Sequence, residues 1–190
     1  MGKMRGTPVV TLLAAVAALI LAVPTTVRSA LNLTATALYM GGTDHPLSIP
    51  EDTTTFIDGY VTWAYDNYVA PSGLCTGGDP GCAQVAVRTP AQFWPVTGLD
   101  AIRFDDSVAQ GVANLDACLR GLTCTVTDPP FTSTVSRPLV DTSYTVFGYS
   151  QSGTVASIEK SDLIAHPPTG TVSFVFESNP NRPNGGVLER

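Results

Sequence analysis

Phe147-Gly148-Tyr149-Ser150-Gln151-Ser152-Gly153 sets one hydroxyl between small residues, after an apolar run at Tyr144–Phe147 and before a helical pattern at Gln151–Ala165. A serine at the turn from a strand into a helix is what a nucleophile elbow of the form G-x-S-x-G requires. Strand and helix pass closely there, so Gly148 and position 152 must be small. Ser152 meets that demand in place of the usual glycine. The turn exposes the Ser150 hydroxyl at a helix N-terminus, where the N–H of Gln151 can donate to an oxyanion. A second donor is expected from the Gly41-Gly42-Thr43 turn, at Gly42 and Thr43. The chemistry would be acyl transfer through an acyl-serine. The same residues also fit an ordinary strand-to-helix turn in which Ser150 or Ser152 caps the helix.

A serine nucleophile also needs a base and a carboxylate to orient it, in the chain order Ser, acid, His. After Ser150 the one histidine is His166, followed by Pro167-Pro168. At 1.5 Å per residue it lies about 20 Å down the helix that starts at the elbow, and it is expected to be structural. His45 follows the Gly42 turn but is out of order, and is expected to cap or pack. Glu177, at the end of the next strand, is a candidate acid by position alone. Asp105 and Asp106 precede Ser150 and are expected to cap a helix.

The elements that must position these groups alternate. Thr34–Met40 reads as a strand closed by Gly41-Gly42-Thr43, and Glu51–Val69 as a helix after a Ser48-Ile49-Pro50 start signal with acids in its first turn. Pro71–Gly81 is expected to be a loop and Ala83–Val87 a strand. A second helix begins at Phe104-Asp105-Asp106-Ser107, carries Val108, Val112, Leu115 and Leu119 on one face, and ends at Gly121. Residues 121–139 are expected to be a loop, Tyr144–Phe147 a strand, Gln151–Ala165 a helix and Thr171–Phe176 a strand. This order implies an α/β fold with a mainly parallel sheet, helices on both faces, and sites at the carboxyl ends of strands.

The chain has 190 residues, ten basic and sixteen acidic, a net charge of −6 and only two lysines, Lys3 and Lys160. No basic patch is available for phosphates, which argues against nucleic acid as a partner. Lys3 and Arg5 precede an uncharged run from Val9 to Val23, so residues 1–30 read as an export signal or a membrane anchor. Ser29-Ala30 offers a small pair for cleavage, with Arg28 where a small residue is wanted; Thr7–Val27 is also long enough to span a bilayer. Either way the remainder is expected outside the cytoplasm, anchored in the cell membrane or lying free in the envelope. Cys75, Cys82, Cys118 and Cys124 should then form disulfides, and the two close spacings favour Cys75 with Cys82 and Cys118 with Cys124. Neither pair has the two-residue spacing of a zinc site, and no metal or organic cofactor is implied.

Five blocks carry a resemblance: Leu38-Tyr39-Met40-Gly41-Gly42-Thr43, Thr89–Gly98, Phe104–Gly111, Val146–Ser152 and Asn179–Gly186. In that order they resemble the PE-PPE domain, a mycobacterial branch of the α/β serine hydrolases related to lipases and cutinases. The family's G-x-S-x-S/G motif is matched by Gly148, Ser150 and Ser152. The resemblance implies an α/β-hydrolase-like fold over residues 31–190 and esterase activity on acyl esters. With an export segment leading directly into the domain and no PE or PPE region before it, the chain is similar to envelope-anchored members that transfer acyl groups between trehalose glycolipids. It also implies an acid and a histidine beyond Gly185-Gly186, so the domain is expected to be incomplete at its C-terminus and inactive as it stands. The alternative is a non-catalytic remnant acting as a surface antigen or lipid-binding module.

Overall fold

The computed structural model of the chain describes residues 35–75 and 82–188. Its strands are β1 (Ala35–Met40), β2 (Ala83–Val87), β3 (Thr123–Thr127), β4 (Thr134–Pro138), β5 (Ser143–Tyr149) and β6 (Thr171–Glu177). Its helices are α1 (Thr54–Ala64), α2 (Ala70–Ser72), α3 (Phe104–Leu119) and α4 (Gln151–Ala165), and a π-helical stretch at Tyr65–Val69 joins α1 to α2. The strands form one sheet in the order β4-β3-β2-β1-β5-β6. β2, β1, β5 and β6 are parallel, and β3 and β4 run antiparallel.

β1 is the pivot of this topology. The chain leaves it for β2 on one side and returns later to β5 on the other, so the direction of winding reverses between β1 and β5. In open α/β sheets the crevice outside such a switch point is where ligands bind. The register pairs Met40 with Gly148, so the two strands end level and their following turns face each other.

Both sheet faces are covered, which is why β1 and β5 are buried almost throughout rather than on alternate residues. Leu38, Met40, Val85 and Val146 meet Val108, Leu115, Val155 and Leu163 of α3 and α4 on one face. Ala37, Tyr39, Ala86 and Phe147 meet Ile57, Val61 and Ala64 of α1 on the other. Both expected disulfides form, Cys75 with Cys82 and Cys118 with Cys124.

Three expectations are corrected. Residues 121–139 are not a loop but contain the β3–β4 hairpin. In β3 the inward residues are Cys124 and Val126 and the rest are threonines, whose branched side chains fit a pleated surface. Asn114 of α3 pins the hairpin, accepting from the Thr125 N–H at 2.8 Å and donating to the Arg88 and Thr125 carbonyls at 2.9 Å. The helix from Glu51 to Val69 starts later: Thr53 caps α1 by accepting from the Phe56 N–H at 3.2 Å, and no acid lies in its first turn. Asp105 and Asp106 do not cap α3 but lie within its first turn, where their charge complements the helix dipole. The export-signal or anchor reading of residues 1–30 lies outside the described residues. Among those described, no helix is long and apolar enough to cross a membrane.

One core residue is out of keeping with its surroundings. Glu159 of α4 is fully buried, and neither carboxylate oxygen meets a hydrogen-bond partner among the described residues. Burial, with Asp116 and Asp162 nearby, pushes its pKa from the ordinary carboxylate value to about 7. The folded state therefore holds this proton where the unfolded chain releases it, and stability falls as pH rises from about 4.5 through 7. The full penalty, roughly 3 kcal/mol, is in place above that range. Glu159→Gln keeps the shape and can donate to the neighbouring carboxylates. Urea unfolding of this variant is expected to show a higher midpoint than the parent at pH 8, a smaller difference at pH 5, and a flatter pH dependence.

Candidate active site

Ser150 lies between the end of β5 and the start of α4 with φ 55° and ψ −119°. This lies outside the left-handed helical basin and costs a non-glycine residue on the order of 1–3 kcal/mol unless its surroundings hold it. The Ser150 N–H donates to the Glu177 carbonyl at 3.3 Å, and its carbonyl accepts from the Gly153 N–H at 2.9 Å. The turn needs room on its inner side. A Cβ at Gly148 would come within 2.8 Å of the Ser152 carbonyl oxygen and 3.0 Å of the Ala156 Cβ, so only glycine lets β5 and α4 approach this closely. Ser150 is partly exposed while Gln151 and Ser152 are buried.

Ser152 does more than stay small. Its hydroxyl accepts from the Tyr149 N–H at 2.9 Å and lies 3.0 Å from the Met40 and Tyr149 carbonyl oxygens, to one of which it donates. The Met40 carbonyl also accepts from the Tyr60 hydroxyl at 2.8 Å. Burial raises the Tyr60 pKa well above the ordinary phenol value, so this donor keeps its proton. The end of β1 is thus held from α1 and from the elbow at once.

The Gly41-Gly42-Thr43 turn stands against the serine. A Cβ on Gly42 would lie 3.4 Å from the Ser150 Cβ and 3.0 Å from the Tyr149 ring. Asp44 and His45 use their amides within the fold, donating to the Ala91 and Gly42 carbonyls. The Gly42 and Thr43 amides make no hydrogen bond among the described residues. The Gln151 amide, first in α4, has no acceptor within its helix. The Gly42 turn thus closely approaches the partly exposed Ser150 at the start of α4, and stabilising an oxyanion on an acylated serine takes N–H donors from such turns.

None of the remaining candidates bonds the Ser150 hydroxyl through its side chain among the described residues. His166 pairs with Asp162 at 3.1 Å at the far end of α4. Glu177 contributes its carbonyl to the elbow, while its carboxylate accepts from the Ser178 hydroxyl. His45 forms a pair that the sequence did not signal: its Nδ1 lies 3.0 Å from Asp52 Oδ1, and its ring stacks on Phe56. Asp52 is buried and its second oxygen accepts from the Leu47 N–H at 2.8 Å, pinning a leucine with φ 52°. Among the described residues no imidazole bonds to the Ser150 hydroxyl. Gln92 is another residue the spacing did not reveal. Its carbonyl accepts from Gln151 Nε2 at 2.8 Å, and Ser107 bonds both the Gln92 N–H and Gln151 Oε1, fastening the loop after β2 to the residue following Ser150. The described residues bring no three histidines, cysteines or carboxylates together to hold a metal.

The model of the PE-PPE domain family matches residues 80–190. The chain belongs to that family. It is 34% identical over 161 residues to a Mycobacterium tuberculosis protein described as an uncharacterized PPE family protein, PPE42, covering 82% of this chain and 23% of the relative. It is 33% identical over 160 residues to esterase PE16 of the same species, covering 82% of this chain and 25% of the relative. A third relative from that species, SL1278 acyltransferase Chp1, is 32% identical over 106 residues, 54% of this chain and 22% of that protein. The chain thus spans about a quarter of the length of these curated relatives. No solved structure matches it. The mainly parallel six-stranded sheet with helices on both faces accords with the lipase-like α/β fold of PE-PPE domains.

The hydrogen bonds of Ser152 separate two roles for that residue. Were small bulk its whole contribution, Ser152→Ala would be nearly silent. Because the hydroxyl satisfies buried backbone groups, the substitution is expected to destabilise this PE-PPE domain by about 1–3 kcal/mol, read as a lower urea midpoint with an unchanged slope.

Proposed function

We propose that this chain carries the nucleophile half of a serine hydrolase or acyltransferase site, with Ser150 as the nucleophile. The Gln151 amide and those of Gly42 and Thr43 serve as oxyanion donors, and Gly148 and Ser152 shape the elbow. The observation that supports this best is the strained Ser150 backbone at the β1/β5 switch point, directly against the Gly42 turn. Strain of this kind persists only where the surrounding structure enforces it.

In the reaction, the Ser150 oxygen attacks the acyl carbon of an ester, its proton leaves with a base, and the tetrahedral oxyanion is held by the amides. The alcohol departs with a proton, leaving acyl-Ser150, which water or a sugar hydroxyl then takes up. The names of the esterase and acyltransferase relatives support acyl esters as the substrate class. We extend this to acyl esters or glycolipids of the cell envelope, reached after export behind residues 1–30. Among the described residues both histidines pair with aspartates rather than with the Ser150 hydroxyl, and losing the base of a well-studied triad costs on the order of 10⁶ in turnover. The chain by itself is therefore proposed to be acylated slowly and to turn over barely at all. A non-catalytic, lipid-binding role is the second reading, and the engagement of both histidines elsewhere favours it.

A fluorophosphonate probe tests the assignment. Mass spectrometry of the folded chain is expected to place the adduct on Ser150, with none in Ser150→Ala. The labelling rate should climb steadily with pH, because solvent rather than an imidazole removes the proton. A plateau in the labelling rate that His45→Gln abolishes would make His45 the base. Absence of any adduct on Ser150 would overturn the nucleophile assignment.

A further inference from the structure

Between β2 and α3 the chain runs through Gln92-Phe93-Trp94-Pro95-Val96-Thr97-Gly98-Leu99, following the carboxyl end of β2 as Ser150 follows that of β5. Phe93, Trp94, Val96 and Leu99 all point apolar surface to solvent, with Trp94 49% and Leu99 82% exposed. No charged residue occurs from Thr89 to Leu99. Four large apolar side chains within seven residues form a patch that a soluble surface does not carry without use.

The backbone of this loop distinguishes its occupant. Of the six N–H groups from Phe93 to Leu99, four are already bonded within the loop and its base. Phe93 donates to Thr97 Oγ1, Trp94 to the Ile102 carbonyl, Thr97 to the Phe93 carbonyl and Gly98 to the Pro95 carbonyl. At the loop's base, Ile102 donates to Gln92 Oε1 at 2.9 Å. A loop whose N–H groups are mostly bonded internally enters an apolar phase at lower cost than one that leaves them to water. A protein interface instead uses direct hydrogen bonds, about one per 100–200 Å², and this loop offers few free donors. An anionic surface would be met by lysine or arginine, and the patch has neither.

We propose that the Phe93–Leu99 loop is a docking element for an electrically neutral lipid surface, with Trp94 seated at the interface. Tryptophan suits that place, with an apolar ring body and one N–H for the headgroup level. The tie from Gln92 to Gln151 then fixes the lipid surface relative to Ser150. The inference goes beyond the proposed hydrolase chemistry and does not require Ser150 to react.

The test uses the full chain, whose two tryptophans are Trp63 and Trp94. Phosphatidylcholine vesicles with brominated acyl chains should quench its emission, and Trp94→Phe should remove the quenched component while leaving the fold intact. The double variant Val96→Ser and Leu99→Ser, both exposed, should weaken the quenching. Since the reporter is Trp94 itself, vesicle binding through residues 1–30 alone leaves its emission unquenched and counts against the proposal. Equal quenching in the parent and in Trp94→Phe, or a concentration-dependent dimer abolished by the double variant without lipid quenching, would overturn it. Fluorophosphonate labelling of Ser150 in the same samples separates this outcome from failure of the hydrolase reading.

Discussion

Close approach of backbones at the ends of β1 and β5 is the constraint on which the rest depends. Gly148 lets α4 leave β5 at a distance that a single methyl group would forbid, and Gly42 lets the turn after β1 press against the same point. With both strands ending level, the turn after β1 and the first turn of α4 meet at one residue. That residue carries the strained backbone. A side chain at Gly148 would force strand and helix apart, and one at Gly42 would have to shift the Tyr149 ring.

What surrounds this point is built to hold it still. The Met40 carbonyl takes a hydrogen bond from Tyr60 and lies within reach of the Ser152 hydroxyl, so a helix on one face of the sheet and the elbow share one acceptor. Asp52 restrains the next segment from the other side through His45 and Leu47. Gln151, buried and bonded to Gln92, extends the restraint to the loop after β2. Rigid donors that need no rearrangement as charge develops are what oxyanion stabilisation requires. In this PE-PPE domain the second small position of G-x-S-x-G thus carries a hydroxyl that bonds the backbone of the elbow and lies within reach of the end of β1.

The elbow could be read from sequence because its determinants are local: small residues at fixed spacing, an apolar run before them, a helical pattern after. The α/β class followed from the same alternation, and the cysteine pairs from their short separations. The hairpin at β3 and β4 escaped because β3 is mostly threonine, so inward and outward positions differ little in polarity. Asp52 sits among the acids that a helix start attracts, but its role comes from a chain reversal that brings it to Leu47 and His45. The links of Gln92 and Ser107 to Gln151 join residues far apart in sequence, which no spacing rule reaches. Local chemistry was visible; the restraints that make it useful were tertiary.

A crystal structure of the phosphonylated chain would test the central claim most directly. The account places the phosphonyl group on Ser150 Oγ, with its oxygen about 2.7–3.1 Å from the Gln151 amide and from that of Gly42 or Thr43. An adduct whose oxygen points to solvent, with those amides turned away or bonded elsewhere, would contradict it.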